Sequence, residues 1–565
     1  MVRRVAVVGA GLSGLACVKC CLDEGLEPLC FESSEDIGGL WRFKENPEPG
    51  RANMYRSLIT NTSKEMMCFS DFPIPAHFPN YMHHSLIMDY FRMYAEHFQL
   101  LPHIRFQTCV RSVEQRPDFS RSGQWEVVTV DREGREETHI FDAVMVCTGL
   151  NTEPVLPLNE FPGIESFGGR FFHSVEYKDP EEFRGKRILV IGIGNSGGDI
   201  AVELSRVAEQ TFLSTRHGAW IVSRLSSRGL PLDLKVNTRY MSLLTQWLPM
   251  ALLNWVGERV LNHRYDHRLY GLQPQHRLFS RTPMLNDDLP GRILSGAVVV
   301  RPDVREFRSS GVEFEDGTGE DQIDVVVFAT GYNYGFPFLP TSVSPQPRQH
   351  LRLYKNVFPA DLEQPTLAMV GLVKAAGPVM PIVEMQGRWA TRVMKGLNKL
   401  PTTAAMVMEI ECQRKRMERR FTPEHHALQV DYMPYMDELA EQFGVRPSVL
   451  ALLLRDPRLG LSVMLGPCTP YQYRLRGPGK WAGARHAILT QWERVAQPMR
   501  TRPVPDLPRP SGLPLLLHVS VAGLLLCAAV LYTRQHPPAF LQDPPACLQQ
   551  PLTFLQSLWL RFAPQ

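Results

Sequence analysis

A glycine motif of the form Gly-x-Gly-x-x-Gly occurs twice in this 565-residue chain, each time directly after a short apolar run. The runs, residues 5–8 and 188–191, are typical of buried parallel strands. In a strand–turn–helix unit, such glycines allow a tight turn and let a pyrophosphate approach the backbone amides at the helix start. The two copies therefore predict an α/β protein with two Rossmann-like domains that bind two dinucleotides. The copies are Gly9-Ala10-Gly11-Leu12-Ser13-Gly14 and Gly192-Ile193-Gly194-Asn195-Ser196-Gly197.

The residues after each copy distinguish the two ligands. Glu32 ends the next predicted strand, at the position where a carboxylate commonly bonds a ribose 2′-hydroxyl. At the corresponding offset after the second copy lie Thr215 and Arg216. An arginine can pair with a 2′-phosphate, which a carboxylate would repel. The second site is therefore predicted to bind NADPH, and an ordinary solvated arginine is the alternative for Arg216.

A further glycine pair indicates that the first dinucleotide is FAD. It lies in Gly38-Gly39-Leu40-Trp41, shortly after the ribose carboxylate, where bare backbone can pass close to the pyrophosphate and ribityl chain of a long ligand. NAD does not need this second support. The residues assigned to FAD on these grounds are Gly9, Ala10, Gly11, Leu12, Ser13, Gly14, Glu32, Gly39, Leu40 and Trp41.

Charge and cysteine content argue against several other functions. The net charge of +3 is too small to indicate nucleic-acid binding. Eleven cysteines are present without the spacing of a ligand set, so no metal site is predicted. Cys17 and Cys20 form a C-x-x-C pair, but they fall on the helix after the first glycine motif, where packing against the sheet is the simpler interpretation. The chemistry is therefore expected to belong to the cofactors.

Residues 167–177 fit the F-x-G-x-x-x-H-x-x-x-Y/F fingerprint of flavin-containing monooxygenases and related Baeyer–Villiger enzymes. The fingerprint lies between the two glycine motifs, as in that family, and residues 61–67, 285–290 and 466–471 extend the similarity. The chain thus resembles vertebrate microsomal members of the dimethylaniline monooxygenase type. His173 of the fingerprint is interpreted as a hydrogen-bonded histidine that braces the domain junction, with proton transfer as the less favoured alternative.

This resemblance implies that NADPH reduces FAD, that oxygen adds to the reduced flavin as a C4a-hydroperoxide, and that a soft nitrogen or sulfur centre of a lipophilic xenobiotic is then oxygenated. Baeyer–Villiger oxygenation of ketones and uncoupled NADPH oxidation remain alternatives. So does a non-catalytic, cofactor-binding membrane scaffold.

The same resemblance implies a catalytic role for Asn61, which would lie beside both FAD and NADP. The alternative for Asn61 is a turn residue within an Asn-x-Ser glycosylation sequon. Thr62 is assigned to the FAD site. The residues assigned to NADP are Tyr55, Thr60, Asn61, Gly192, Gly194, Asn195, Ser196, Gly197, Gly198, Thr215 and Arg216.

Two apolar stretches that end in Thr-Gly, residues 144–149 and 325–331, predict crossings between a flavin domain and a nicotinamide domain inserted into it. Within the insertion, residues 240–261 are apolar but interrupted by Pro249. They could contact a membrane surface or cover the substrate entrance, and a buried helical insertion is the alternative. The predicted divisions are 1–155 and 331–445 for the FAD domain, 156–330 for the NADPH domain with an apolar insertion at about 217–295, and 446–511 for a C-terminal helical region and linker.

Residues 512–533 predict a membrane anchor, because residues 513–532 contain no Asp, Glu, Lys or Arg and are long enough to cross a bilayer. Arg500, Arg502 and Arg509 precede this segment, and only Arg534 follows closely, which weakly favours catalytic domains on the cytosolic side. We therefore predict attachment to the endoplasmic reticulum membrane, with a helix lying in the interface as the alternative. Residues 534–565 are predicted to be a disordered tail. A homo-oligomer is compatible with the sequence.

Overall fold

The structure, a computed structural model, describes residues 2–48, 50–344, 352–421 and 428–503. Within these ranges, two five-stranded parallel sheets dominate the fold. The first has the strand order Leu367–Met369, Ala143–Val146, Arg4–Val8, Glu27–Phe31 and Ile104–Arg105. The second has the order Val298–Arg301, Gln210–Ser214, Arg187–Ile191, Val325–Phe328 and Arg170–His173.

Each predicted glycine motif follows the central strand of one sheet. Strand Arg4–Val8 is buried at its last four positions, and Arg187–Ile191 has the same pattern. Continuous burial of Val, Ile and Leu is expected where helices cover both faces of a parallel sheet. The helices that follow the motifs span Leu12–Asp23 and Asn195–Leu204. The prediction of an α/β fold with two Rossmann-like domains is therefore confirmed.

Smaller sheets flank the two large ones. Two three-stranded antiparallel sheets consist of Thr108–Gln115, Trp125–Asp131 and Glu136–Phe141, and of Val304–Phe307, Gly311–Phe314 and Gly319–Asp321. Short strand pairs join Ile221–Val222 to Met284–Leu285, Glu153–Pro154 to Tyr332–Asn333, Leu353–Tyr354 to Phe358–Pro359, and Lys374–Ala376 to Gln429–Asp431.

The other α-helices are distributed along the described parts of the chain. They span Lys64–Met67, His84–His97, Phe119–Ser122, Leu232–Val236, Arg239–Trp247, Met250–Arg264, Leu289–Leu294, Met380–Met394, Thr403–Glu418, Tyr432–Gln442, Val449–Arg455, Pro457–Leu465 and Ala484–Ala496.

The chain crosses twice between the two large sheets, and the crossings lie side by side. Glu153–Pro154 follows the first sheet's strand Ala143–Val146, whereas Tyr332–Asn333 follows the second sheet's strand Val325–Phe328. These two short segments pair antiparallel, with Tyr332 opposite Pro154. The nicotinamide-side sheet is thus built from a segment inserted between two parts of the flavin-side sheet.

The apolar part of the insertion forms two helices, Arg239–Trp247 and Met250–Arg264, separated at Pro249. Pro249 lies just before the second helix, where a missing backbone donor costs little. Several large apolar side chains of these helices are exposed: Trp247 by 70%, Val260 by 64% and Trp255 by 55%. The alternative of a buried helical insertion is therefore right about the helices and wrong about their burial.

The C-terminal part packs back onto the flavin-side domain through buried charges. Arg474 is 2% exposed, and its Nη2 lies 2.7 Å from Glu384 and 2.8 Å from Asp71. Asp71 also pairs with Lys19, at 2.5 Å, on the helix that follows the first glycine motif. Residues far apart in sequence therefore form one polar network beneath that helix.

Among the residues that the structure describes, no helix combines the length and the apolar character required to cross a membrane. The predicted anchor at 512–533 and the predicted tail at 534–565 lie outside the described residues, as does the last part of the predicted 446–511 linker.

Candidate functional site

The first glycine motif forms a backbone cradle at the start of helix Leu12–Asp23. Gly9 has a φ of +96°, and its amide donates to the Phe31 carbonyl at 2.8 Å. A Cβ on Gly14 would lie 1.8 Å from the Gly9 carbonyl oxygen, so only glycine allows this contact between helix and strand. The amides of the first helical turn have no acceptor within the helix. They are thus available to a pyrophosphate, together with the positive end of the helix dipole.

The second glycine pair lies against this cradle. The Gly38 amide donates to the Ala10 carbonyl at 3.0 Å, and a Cβ on Gly39 would lie 3.1 Å from the Gly11 Cα. Gly38 and Gly39 both have positive φ values. The two glycine segments predicted to hold a long ligand therefore meet. Of the other residues assigned to FAD, Leu40 is exposed, Trp41 is half-buried, and Leu12 and Ser13 lie in the first helical turn.

Glu32 lies at the end of the second strand with its carboxylate buried. It accepts hydrogen bonds from the amides of Ala10 and Ser34, both at 2.8 Å, and from Arg51 Nη2 at 2.5 Å. Burial alone would raise the pKa of Glu32, but Arg51 and the backbone donors outweigh it and lower that pKa. The carboxylate is therefore ionised at neutral pH, as an acceptor for ribose hydroxyls must be. Arg51 was not predicted, because no short motif marks it.

The second glycine motif repeats this geometry. Gly192 has a φ of +105°, and its amide donates to Ser214 at 3.0 Å. A Cβ on Gly197 would lie 2.0 Å from the Gly192 carbonyl oxygen, whereas a Cβ on Gly194 would meet no atom within 4 Å. Gly194 therefore borders open space at the helix start, where a phosphate can approach. Ser196 is exposed beside it, and Gly198 packs against Met284.

Arg216 lies just beyond the second strand of this sheet, as the NADPH prediction requires, but it already has protein partners. Its Nε donates to Asp303 at 2.7 Å, and its Nη2 lies 3.4 Å from Glu160. The neighbouring Thr215 hydroxyl accepts from the Gly218 amide at 3.1 Å. A 2′-phosphate at this position would share the guanidinium with the two carboxylates.

The side chains of two residues assigned to NADP, Tyr55 and Asn195, form hydrogen bonds with other protein groups. The Tyr55 hydroxyl donates to Asp199 at 2.6 Å, on the helix of the second cradle. Asn195 Oδ1 accepts from the Leu285 amide at 2.9 Å. Tyr55 thereby attaches the flavin domain to the nicotinamide domain. The backbone amide of Asn195 is still at the helix start.

Asn61 lies on the loop before helix Lys64–Met67 and is half-buried. Its Oδ1 accepts a hydrogen bond of 2.6 Å from Arg224 Nη2. The Thr60 hydroxyl accepts from the Met82 amide at 2.9 Å, and that of Thr62 lies 3.7 Å from Met67 Sδ. The side chains of Thr60 and Thr62 therefore contact protein groups, while Asn61 accepts its hydrogen bond from a residue of the nicotinamide domain.

A second contact from the insertion reaches the same loop. The Ser63 amide donates to Asp233 Oδ2 at 2.6 Å. Burial raises the pKa of Asp233 to about 6. Neither Arg224 nor Asp233 was predicted, because neither lies in a recognised motif and their contacts with residues 61–63 arise only in the folded chain.

His173 has two backbone partners at the junction between the domains. Its Nε2 lies 3.0 Å from the Gly331 carbonyl oxygen, and its Nδ1 accepts from the Val175 amide at 3.1 Å. A neutral ring with the proton on Nε2 satisfies both contacts. Burial lowers the pKa of His173, which favours that neutral form. These contacts match a bracing role.

The sequence predicts no metal site and assigns Cys17 and Cys20 to packing. Within the described ranges, no cluster of His, Cys, Asp and Glu could hold a metal ion. Cys17 and Cys20 are buried free thiols, and burial raises the pKa of each well above its usual value. Thiolates, which metal binding and redox exchange require, are therefore disfavoured there.

Both cradles fit the dinucleotides assigned to them, since each combines glycines that accept no Cβ, free helix-start amides and the expected group at the ribose position. There are two such sites, and the second lies in a domain inserted into the domain of the first. Together they define an oxidoreductase that binds two dinucleotides.

The chain belongs to the flavin-binding monooxygenase-like family, whose sequence profile matches residues 2–534. It is 56% identical to flavin-containing monooxygenase 5 of Rattus norvegicus over 503 residues, which cover 89% of this chain and 94% of that protein. It is 51% identical to dimethylaniline monooxygenase (N-oxide-forming) 2 of Rattus norvegicus over 537 residues, or 95% of this chain and 100% of that protein. The structure of an S-allyl-L-cysteine S-oxygenase from Allium sativum aligns with a TM-score of 0.60 at 24% identity, covering 78% of this chain and 88% of that one. The predicted function is confirmed: this is an NADPH-dependent flavin monooxygenase with FAD and NADPH as cofactors.

Proposed function

We propose that the enzyme oxygenates tertiary amines and thioethers of lipophilic compounds, xenobiotics among them, with molecular oxygen as co-substrate. The observation that carries this proposal is the similarity to the N-oxide-forming relative, which extends over that protein's whole length at 51% identity. The lone pair of such a nitrogen or sulfur atom is itself the nucleophile, so the site need not supply a base to activate the substrate.

The residues of this chain have separate tasks in that reaction. The first cradle and Glu32 hold FAD, which when reduced by NADPH supplies the oxygen-activating chemistry. The second cradle, Thr215 and Arg216 hold NADPH, with Arg216 facing the 2′-phosphate. Asn61 presents a neutral amide to the cleft between the domains. Tyr55 keeps the two domains in contact and His173 braces the crossing segment at Gly331, which favours exclusion of water from the cleft.

The substrate class is tested by supplying a tertiary amine, a thioether and a cyclic ketone at equal concentration and identifying the products. We expect an N-oxide and a sulfoxide to dominate. A lactone as the main product would instead establish Baeyer–Villiger oxygenation. NADPH consumption matched by hydrogen peroxide would indicate an oxidase, and a sample that carries FAD but does not oxidise NADPH would support the scaffold alternative.

The role of Asn61 is tested by Asn61→Ala. If the amide donates to the reacting centre, this change should raise the hydrogen peroxide released per NADPH and lower product formation, while FAD stays bound. Unchanged NADPH oxidation, peroxide release and product formation would exclude Asn61 from the reaction.

We also propose that residues 512–533 attach the enzyme to the endoplasmic reticulum membrane, with the catalytic domains in the cytosol. The apolar composition of that segment supports this proposal, as do the exposed apolar side chains of the insertion helices, among them Trp247 and Trp255. Washing membranes at alkaline pH with carbonate should leave the protein in the pellet. Release of intact protein would argue against a span and favour interfacial binding.

A further inference from the structure

One arginine of the inserted segment reaches across to the loop that carries Asn61. Arg224 is only 6% exposed, and its Nη2 donates to Asn61 Oδ1 at 2.6 Å. On its other side, Nη1 lies 3.4 Å from Asp287 Oδ2, and the Arg224 amide donates to Asp287 Oδ1 at 3.1 Å. Asp287 thus holds both the backbone and the guanidinium of Arg224. The carbonyl oxygen of Arg224 accepts from the Tyr81 hydroxyl at 2.7 Å, so a residue of the flavin domain also holds Arg224 in place.

The chemistry of this contact fixes the orientation of the Asn61 amide. A guanidinium has only donors, so the atom of Asn61 that faces Arg224 must be the carbonyl oxygen. The NH2 group of Asn61 then points away from Arg224. A bond to a charged donor also polarises the amide and makes that NH2 group a better donor.

The backbone beside Asn61 is held from the same segment. Asp233, which is half-buried, accepts from the Ser63 amide at 2.6 Å, and the Leu232 amide donates to the Arg224 carbonyl oxygen at 2.8 Å. These two bonds hold the Asn61 side chain and the Ser63 amide from the nicotinamide domain. On either side, Thr60 and Lys64 bond to Met82 and Asn80 of the flavin domain.

We propose that Arg224, itself held by Asp287, is a positioning residue that sets the Asn61 amide with its NH2 group toward the reaction cleft. This inference rests on the proposed role of Asn61 and deepens it. Arg224 acts through Asn61 and not on the substrate. Removing it should therefore damage the coupling of NADPH oxidation to oxygenation without abolishing FAD binding.

The test compares Arg224→Met, Asn61→Ala and the double variant with the wild-type enzyme. We expect each single change to raise the peroxide released per NADPH by roughly tenfold, as the loss of one charge-assisted hydrogen bond predicts. Because the two residues act as one unit, the double variant should be no worse than Asn61→Ala alone. Arg224→Lys should recover part of the coupling, since it keeps a donor. Arg268→Met, which changes an exposed arginine of the same segment, is the matched control.

The Asn61→Asp variant distinguishes the contact with Arg224 from hydrogen-bond donation by the Asn61 NH2 group. The carboxylate can still accept from Arg224, but it has no NH2 group to present. Peroxide release should therefore rise as in Asn61→Ala. A coupled Asn61→Asp enzyme would contradict the inference.

Amide hydrogen exchange gives a readout that does not depend on turnover. In the FAD-bound protein without nicotinamide, residues 58–67 should exchange faster in Arg224→Met than in wild type or in Arg268→Met. The failures are distinguishable. A normal Asn61→Ala enzyme removes the proposed role of Asn61, whereas an impaired Asn61→Ala enzyme beside a normal Arg224→Met enzyme overturns only the role of Arg224. Losses that multiply in the double variant would likewise overturn it.

Discussion

Arg216 shows, at the scale of one residue, how a predicted ligand contact is shared with the protein. The sequence places a cation where a 2′-phosphate would bind, but the structure adds Asp303 and Glu160 as partners. A bound 2′-phosphate therefore gains less binding free energy from Arg216 than it would from an arginine without carboxylate partners. In return, the paired guanidinium is already oriented.

Arg216→Gln should weaken NADPH binding and leave NADH binding almost unchanged. We expect the KM for NADPH to rise roughly tenfold, the lower end of what a charged hydrogen bond contributes, because the carboxylates already share the guanidinium. Steady-state kinetics with both nucleotides measures this. Arg206→Gln, in the same domain, is the control. A preference for NADPH that survives Arg216→Gln would assign the 2′-phosphate to another residue.

His173 gives a prediction on stability. Its pKa is lowered by burial, so in acid the unfolded chain takes up a proton before the folded protein does. The contribution of His173 to the free energy of unfolding is thus fully present above the ordinary histidine pKa of about 6.5 and declines as the pH falls below it.

Urea unfolding of wild type and His173→Gln at pH 7.5 and pH 5.5 isolates this contribution. Burial also lowers the pKa values of His84, His139 and His267, so wild type alone does not isolate it. The difference between the two proteins should be smaller at pH 5.5 than at pH 7.5. An equal difference at both pH values would mean that His173 is not held neutral.

At the scale of elements, the two glycines at the start of helix Asn195–Leu204 have different tasks. Gly197 contacts the preceding strand-to-helix turn, while Gly194 faces open space. The motif alone cannot separate these tasks, because it shows only that both positions are glycine.

Gly194→Ala should therefore leave the free energy of unfolding almost unchanged but raise the KM for NADPH, since a methyl group would occupy the approach of the pyrophosphate. Gly197→Ala should lower the free energy of unfolding by about 2 kcal/mol, because its Cβ clashes with backbone and overrides the better helix propensity of alanine. Thermal unfolding and nucleotide titration of both variants check this. A destabilised Gly194→Ala protein with normal nucleotide affinity would reverse the assignment.

The strands and helices that follow from local pattern could be predicted, and those that depend on distant partners could not. Buried runs before glycines identify the central strands because burial on both faces leaves a continuous apolar signature. By contrast, Leu367–Met369 is only three residues long and becomes a strand through pairing with Ala143–Val146. The bonds from Arg224 and Asp233 to the Asn61 loop join residues with no common motif, so only the folded chain brings them together.

At the scale of the whole molecule, buried charge ties the C-terminal part to the flavin domain. Glu384 is 2% exposed and accepts from Ser70 and Arg474. A carboxylate in such a place is tolerated only because its oxygens are matched by donors and a cation. Its removal leaves Arg474 buried with Asp71 as its remaining carboxylate partner.

Glu384→Gln should lower the free energy of unfolding by about 3 kcal/mol, since Arg474 and Lys19 would then share Asp71 as their buried carboxylate partner. Chemical denaturation followed by flavin fluorescence measures the loss. Glu181→Gln removes an exposed partner of Arg184 and should change stability little. Equal stability of the two variants would show that Arg474 is satisfied without Glu384.

The insertion of one sheet within another has a consequence for biosynthesis. Strand Leu367–Met369, which borders Ala143–Val146, leaves the ribosome only after the entire second sheet. Domains fold largely as units as they emerge. The nicotinamide unit can therefore mature while its host is still missing an edge, and that edge must stay protected from other nascent chains until the polypeptide returns to it.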